Sequence, residues 1–495
     1  MRVELVQTHI SWVLLAGDFA YKIKKPVKLH FLDFSTLAQR RVCCEDELRL
    51  NRRFAQDIYL EVLGIFNTPQ DPQWHGEGAP IEYAVKMRRF DEAGRLDRVC
   101  ARGELQSAHL SDLANTLTTF HANAATAAPA SRFGKPRKIM APAMDNFSDL
   151  LRLLPDAAMH SRLEALRVWT AAQGDHLAPL MQARKHDGWV RECHGDLHLA
   201  NLVLIDQRVR MFDCIEFNED LRWIDVACEI AFTYVDLLAH DQPGLANWFV
   251  NEVLSRSGDF GAAGLLRFYA VYRAMVRAKV DAIRSALTPL EGSQALAYIA
   301  LAERLITPNP KRLLITHGLS GCGKTAIVNQ LLQNDPHACT LRLCSDVERK
   351  RMFGLTAAQR SGSALDAGIY TPDAHARTYA HMAVVARELL QAGWSVVVDA
   401  TFLRRADRDT FCALAHELGA AFFIVAPQAT ALQLQARIRT RAQRGTDASE
   451  ATLDVLAQQM HQMEPLDVDE RDAVLPMPDA LSVALFQTAA THPRC

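Results

Sequence analysis

The sequence predicts two unlike domains, an α+β bilobal one followed by an α/β one built on a parallel sheet. Three observations lead there. The stretch "TPNPK", Thr307 to Lys311, puts two prolines in five residues between the helical pattern "SQALAYIALAERLI" and the apolar strand "RLLITHG". Downstream of it, short apolar strands ("RLLIT", "SVVVDA", "AFFIVA") alternate with helical segments such as "HARTYAHMAVVARELLQAG", as strands buried on both faces do. Upstream, strands come first and helices follow. The expected boundaries are 1–306 for the first domain, with a small lobe over about 1–90 and a helical lobe over about 91–306, then a linker at 307–311 and a second domain at 312–495.

The elements of the first domain follow in order. "ISWVLLAGDFAYKIKK" reads as a hairpin turning at Ala16-Gly17-Asp18, and "STLAQRRVCCEDELRLNRRFA" as a long helix with Ser35 or Thr36 at its N-cap. "EYAVKMRRF" returns as a strand, and from Glu104 to about Met181 the pattern is mostly helical. Composition bounds the rest: 495 residues, 49% hydrophobic and 23% charged, give each domain enough apolar material for its own core. A formal net charge of -2 offers no general attraction for nucleic acid or an anionic membrane. No segment has the apolar length of a membrane span, and "MRVELVQTHISWVLLAG" is too interrupted for a signal peptide. Eleven cysteines without metal-ligand spacing fit reduced thiols, so the expected location is cytoplasmic.

"GLSGCGKT", Gly318 to Thr325, has the spacing G-x-x-x-x-G-K-[ST] between a strand and a helix. By residue frequencies this pattern arises by chance in roughly one or two chains of this length per hundred, so with strand and helix in place a plain glycine turn is the weaker reading. Gly318, Ser320, Gly321, Cys322 and Gly323 would wrap backbone N–H groups around phosphates, Lys324 would reach the outer phosphates, and Thr325 would ligate magnesium. Asp399 closes the buried strand "SVVVDAT", where an acid holds the water shell of Mg²⁺. "RLCSDVERKR" sets Asp346 and Arg349 after the second strand, where a carboxylate can take a proton from an acceptor hydroxyl, although an N-cap role for Asp346 is the bland alternative. "ARIRTRAQRG" gathers Arg437, Arg441 and Arg444 on one helical face or its end, as a phosphate-closing lid or simply a solvated face. With these residues the domain resembles the P-loop small kinases, in particular the zeta-toxin and polynucleotide-kinase-like group.

"ECHGDLHLANLVL", Glu192 to Leu204, poses a choice between metal site and catalytic loop. His194 and His198 have i, i+4 spacing, but Gly195 stands where H-E-x-x-H needs glutamate, and Gly195-Asp196 is a poor helix start. The spacing H-G-D-x-x-x-x-N, from His194 through Asp196 to Asn201, instead parallels the protein-kinase loop H-R-D-x-x-x-x-N. "LVLI", a turn at Asp206-Gln207 and "RVRMF" then lead to Asp213, the hairpin and second acid that such a loop requires. The loop pattern alone arises by chance in about one chain in a thousand of this length. "HGDLHLAN" with "FDCIEFN" resembles the aminoglycoside-phosphotransferase and choline-kinase-like family, which has a protein-kinase-like fold. That resemblance implies Asp196 as catalytic base, Asn201 and Asp213 as magnesium ligands, and Asp225 of "RWIDVACEIAF" as a structural support of the loop.

A kinase-like small lobe requires a lysine for the α and β phosphates and a helical glutamate to orient it. "FAYKIKKP" offers Lys22 and Lys24 on one strand face and Lys25 on the other; Lys22, inside the apolar part of the strand, is preferred. Lys86 in "EYAVKM" imitates the motif but follows the helix, where the strand to the hinge belongs. Glu47 is preferred to Glu45 as the helical partner. No G-x-G-x-x-G occurs in the first hairpin, and Asp213 is followed by Cys214-Ile215 without room for a long activation loop, which favours a small hydroxylated acceptor over a protein. The expected function is phosphoryl transfer from Mg-ATP to a small-molecule hydroxyl, joined to a second ATP-binding P-loop kinase or ATPase for which polynucleotide ends stay open as acceptors. The alternative is that only the P-loop domain turns over ATP, on nucleotide sugars or polynucleotide ends, while the first domain is a nucleotide sensor or scaffold. The sequence sets neither the acceptor nor the oligomeric state.

Overall fold

A computed structural model describes residues 3–29, 32–287, 294–363, 367–444 and 448–475. The chain sorts into two compact units, Met1–His240 with Leu265–Ile306, and Asp241–Gly264 with Thr307–Cys495.

The first unit opens with β1 (Val3–Gln7), β2 (Ser11–Ala16) and β3 (Phe19–Lys24), with Gly17 at φ +59° in the turn between the last two. Helix α1 (Leu37–Asn51) follows, then β4 (Tyr59–Thr68), β5 (Asp71–Gln73) and β6 (Glu82–Arg88). They form one antiparallel sheet in the order β1-β2-β3-β6-β4-β5. Thr36 caps α1 with a reciprocal bond to Gln39. Arg40, Cys44, Glu47 and Asn51 fall three or four residues apart and make its buried face, so Glu47 is carried inward with the core residues Tyr59 and Val85. Glu45 faces outward and pairs with Arg41 at 2.8 Å.

The large lobe is built from α2 (Ser107–Asn123), α3 (Pro136–Leu153) and α4 (Ala157–His186). Strand β7 (Val190–Glu192) precedes the hairpin of β8 (Leu202–Ile205) and β9 (Arg208–Met211), and β10 (Trp223–Asp225) pairs back onto β7. Asp206 and Gln207 both adopt positive φ, 48° and 60°, the geometry a two-residue hairpin loop needs to match the strand twist. Asp225 caps α5 (Val226–Ala239) by accepting the Ala227 N–H at 2.8 Å.

The next helix, α6 (Pro243–Ser257), groups with the second unit, whereas the sequence boundaries placed it in the first. The chain then returns to the first unit in α7 (Ala263–Leu287) and α8 (Ala295–Ile306). The second unit continues with β11 (Arg312–Thr316), α9 (Lys324–Gln333), β12 (Thr340–Cys344), α10 (Ser345–Met352), α11 (Pro372–Gln391) and β13 (Ser395–Asp399). It ends in α12 (Arg405–Glu417), β14 (Ala421–Val425), α13 (Ala431–Arg444) and α14 (Leu453–Gln462). The four strands are parallel in the order β12-β13-β11-β14.

The physical reason for the shift of α6 is the open edge of β12. Asn251 donates from Nδ2 to the Thr340 carbonyl at 2.9 Å and accepts the Arg342 N–H on Oδ1 at 2.7 Å, so one carboxamide does for this edge what a neighbouring strand would. Asn247 binds the Leu332 carbonyl at 3.0 Å, and Trp248 packs on the core of Leu314, Val328 and Val397. Gly244 approaches Gln333 so closely that a Cβ would lie 1.7 Å from its carbonyl oxygen. Residues 307–495 expressed without α6 are expected to aggregate, because the β12 edge and the Trp248 contact are then bare; a soluble fragment with a cooperative thermal transition would contradict this.

Candidate active sites

In the first unit the small lobe delivers two lysines to one carboxylate. Lys22 and Lys24 alternate onto the same inward face of β3. Lys22 Nζ lies 2.9 Å from Glu47 Oε1, and Lys24 Nζ lies 2.5 Å from Glu47 Oε2. Each lysine makes a second ion pair, Lys22 with Asp213 and Lys24 with Glu216. Lys86 pairs instead with Glu61 at 2.9 Å, away from this cluster.

The segment after β9 joins the cluster through Asp213, and the loop after β7 carries Asp196 and Asn201. Asn201 donates from Nδ2 to the Asp196 main-chain carbonyl at 2.9 Å and to Asp196 Oδ2 at 3.1 Å, which leaves its own Oδ1 for another partner. Asp213 stands at φ +64°, an uncommon conformation for a side-chain-bearing residue, and its N–H donates to the Tyr59 hydroxyl at 2.9 Å. The Asp196 and Asp213 side chains are 35% and 42% exposed, the open positions in an otherwise buried cluster. Asn201 Oδ1 and the Asp213 carboxylate are hard oxygen donors, the type that suits Mg²⁺.

In the second unit Gly318, Gly321 and Gly323 have φ of +137°, +85° and +105°, which bend the loop between β11 and α9 into a nest of N–H groups. Lys324 Nζ bonds the Gly318 and Leu319 carbonyls at 2.9 Å each. Thr325 donates to Asp399 Oδ2 at 3.0 Å, so the hydroxyl and the carboxylate converge as a shared magnesium site would need. Arg437 reaches the Gly321 carbonyl at 3.1 Å, while Arg441 bonds the Ala451 carbonyl at 3.3 Å. The Arg444 side chain lies outside the described residues. Asp346, in the first turn of α10, pairs with Arg349 at 3.2 Å, and Arg349 lies over Tyr370.

Residues 38–274 match the model of the phosphotransferase enzyme family, and residues 313–466 that of an AAA domain. The first match falls within the first unit apart from the segment of α6, and the second covers the P-loop and its parallel sheet. An uncharacterized protein of Mycobacterium tuberculosis is 28% identical over 456 residues, 92% of this chain and 89% of its own length. Among solved structures, a choline/ethanolamine kinase family protein from Mesorhizobium loti has a TM-score of 0.38 at 14% identity, over 62% of this chain and 89% of that one. A sugar kinase from Janibacter has a TM-score of 0.27 at 20% identity, over 36% of this chain and 92% of that one. No helix among the described residues is long and apolar enough to cross a membrane.

Buried acids hold the loop from His194 to Asn201 in shape. Glu229 on α5 accepts the N–H groups of His194 and Gly195 on Oε1, both at 2.7 Å, and bonds His121 through Oε2 at 2.8 Å. Asp236, two turns on, accepts the Leu199 N–H at 2.8 Å. Asp225 forms a double ion pair with Arg184 at 2.8 and 2.9 Å. His194 donates from Nε2 to the Phe212 carbonyl at 2.8 Å, so its Nδ1 is the acceptor for the Asp196 N–H. Burial lowers its affinity for a proton. His198 Nε2 stands 3.4 Å from Asp196 Oδ2, and its Nδ1 accepts the Ala200 N–H. Both histidines thus brace the loop.

Electrostatics keep the exposed acids ionised. Burial pushes the Asp196 carboxyl up, but His198, Arg277 and His194 outweigh it and hold the group well below the usual carboxylate range. Burial is likewise outweighed at Asp213, chiefly by Lys22. Glu216 goes the other way, raised by burial and by its neighbour Glu47.

Sequence reasoning missed Glu216, Glu229 and Arg342. Glu216 carried a signal, standing three residues beyond Asp213; Glu229 carried none beyond its place on an apolar helix. Arg342 on β12 pairs with Asp399 Oδ2 at 2.5 Å and puts a cation beside the P-loop acid. The two lysines separate in consequence. Lys24→Met leaves Glu216 buried without a partner and is expected to cost about 3–5 kcal/mol of stability. Lys22→Met leaves Glu47 paired with Lys24 and Asp213 open to water, so its loss is expected in ATP turnover with a smaller change in denaturant midpoint. Equal destabilisation by both variants would refute this division.

Proposed function

We propose that the first domain transfers the γ-phosphoryl group of ATP to the hydroxyl of a small molecule, with Asp196 as the base, and that the P-loop domain is a second ATP-dependent kinase, both in the cytoplasm. The observation that carries the first part is the single cluster of Asp196, Asn201, Asp213, Lys22 and Glu47, which supplies base, oxygen ligands and phosphate cation together. Asn201 Oδ1 and Asp213 would hold magnesium, which when bound neutralises phosphate charge and orients the transferred group.

Asp196 accepts the proton of the acceptor hydroxyl as its oxygen bonds to phosphorus; the bond from phosphorus to the bridging oxygen breaks, and ADP leaves with the electron pair. His198 donates to Asp196 Oδ2 and Asn201 donates to the same residue, so the carboxylate is held toward the acceptor. Lys22, fixed by Glu47, would draw the non-transferred phosphates. A small acceptor is supported by the short path from Asp213 to the helical turn Glu219–Arg222, too brief for a peptide-presenting segment. In the P-loop domain Lys324 would bind the outer phosphates, Thr325 and Asp399 the metal, Asp346 would serve as base, and Arg437 and Arg441 would close on the nucleotide.

Asp196→Ala and Lys324→Ala, measured separately for acceptor-dependent ADP release, are each expected to abolish one activity and spare the other. Loss of all turnover in Lys324→Ala alone would overturn the two-kinase reading and leave the first domain as a nucleotide sensor.

A further inference from the structure

Two guanidinium groups of α7 stand behind the loop that carries Asp196, one of them without a carboxylate partner among the described residues. Arg273 and Arg277 stand one turn apart on α7 and so share a face. Arg273 is 4% exposed, yet no carboxylate among the described residues pairs with it. Its Nε donates to the Cys228 carbonyl at 3.4 Å, and its guanidinium lies over the rings of Phe232 at 4.5 Å and Tyr272 at 5.4 Å. The Phe232 ring in turn lies 5.7 Å from the ring of His198, which contacts Asp196. Arg277, 24% exposed, points Nε at the Tyr298 hydroxyl at 3.2 Å and at Asp236 Oδ1 at 3.7 Å. That arrangement leaves the outer fork of Arg277 for a further acceptor.

The buried acids nearby all have partners, whereas Arg273 has no carboxylate among the described residues. Glu229 is satisfied by His121 and two backbone N–H groups. Asp236 is satisfied by the Leu199 N–H, the Tyr298 hydroxyl and Arg277 Nε. Asp145, which acts on Tyr272, is exposed to water. Both guanidiniums connect to the loop by contact, Arg277 through Asp236, which holds the Leu199 N–H, and Arg273 through the Phe232 ring, which lies against His198 beside Asp196. A pocket for a cationic acceptor would present a buried carboxylate without a partner here, whereas the buried charged group that lacks an ion-pair partner among the described residues is a cation, Arg273.

Resting on the proposed phosphotransferase reading, we propose that the acceptor is an anionic hydroxy compound whose carboxylate or phosphate is bound by the fork of Arg277 with Arg273 behind it. A planar guanidinium fork matches either oxyanion bidentately. The anionic group is a handle: the transferred phosphoryl goes to a hydroxyl elsewhere on the molecule, and its proton goes to Asp196.

The test uses the full chain carrying Lys324→Ala, so that ADP release reports on the first domain. Matched probes are glycerate against glycerol, ribose 5-phosphate against ribose, and choline and kanamycin as cations. At least one anionic probe is expected to exceed its neutral twin by about tenfold or more in kcat/KM, and the two anionic probes separate carboxylate from phosphate. Arg277→Gln is expected to raise KM for that probe about tenfold with kcat nearly unchanged, and Arg277→Lys to recover part of the loss. Turnover of neutral or cationic probes only, of no probe at all, or an Arg277→Gln variant with unaltered KM overturns the proposal. Adding Asp196→Ala keeps the two readings apart. Acceptor-dependent release that survives it removes the base assignment, while release abolished by it but driven by choline or kanamycin overturns only the anionic acceptor.

Discussion

Glu47 is the group on which the first domain's site depends. It is fully buried on α1, and two lysines of one strand meet its two oxygens. A single carboxylate between two ammonium groups would leave excess positive charge in a dry interior, and Asp213 and Glu216, three residues apart in the segment after β9, supply the balance. The small lobe's sheet and helix are thereby bound to the segment after β9. The residues proposed to orient nucleotide and hold metal come from elements far apart in sequence, and this network is what makes their positions mutual.

The loop that carries Asp196 is held from the opposite side. Its backbone N–H groups at His194, Gly195 and Leu199 point at Glu229 and Asp236, two carboxylates on one face of α5. Gly195 is needed there in a direct steric sense, since φ is +90° and a Cβ would stand 2.8 Å from the Leu221 carbonyl oxygen. The exposed acid is thus rigid because its backbone donors are spent on buried acids. The P-loop domain reaches similar order by other means, with glycine conformation shaping the phosphate nest and Asp399 shared between Thr325 and Arg342.

How much of this could be read in the sequence varied with distance along the chain. Gly318 to Thr325 is one uninterrupted stretch, and its strand and helix flank it directly, so residue types alone specify the nest. Asp196, Asn201 and Asp213 lie within eighteen residues and a single hairpin joins them, which keeps spacing informative. The choice between Glu45 and Glu47 turned on which face of α1 is buried, which is a matter of packing. Glu216, Glu229 and Arg342 were overlooked because a charged residue becomes noteworthy only once its burial and its partner are known.

The sequence by itself determined the two fold classes and the residue types of both loops, since each depends on contacts within a few residues. The tertiary structure decided that Lys24 and Glu216 join the Lys22 and Glu47 pair, that Arg273 lies over Phe232 and Arg277 beside Asp236, and that Asp241–Gly264 groups with the second unit. The last of these turns on an open strand edge finding Asn251 as its partner. Unsatisfied hydrogen-bonding groups and buried charges select partners by proximity in space, and a linear pattern does not carry that information.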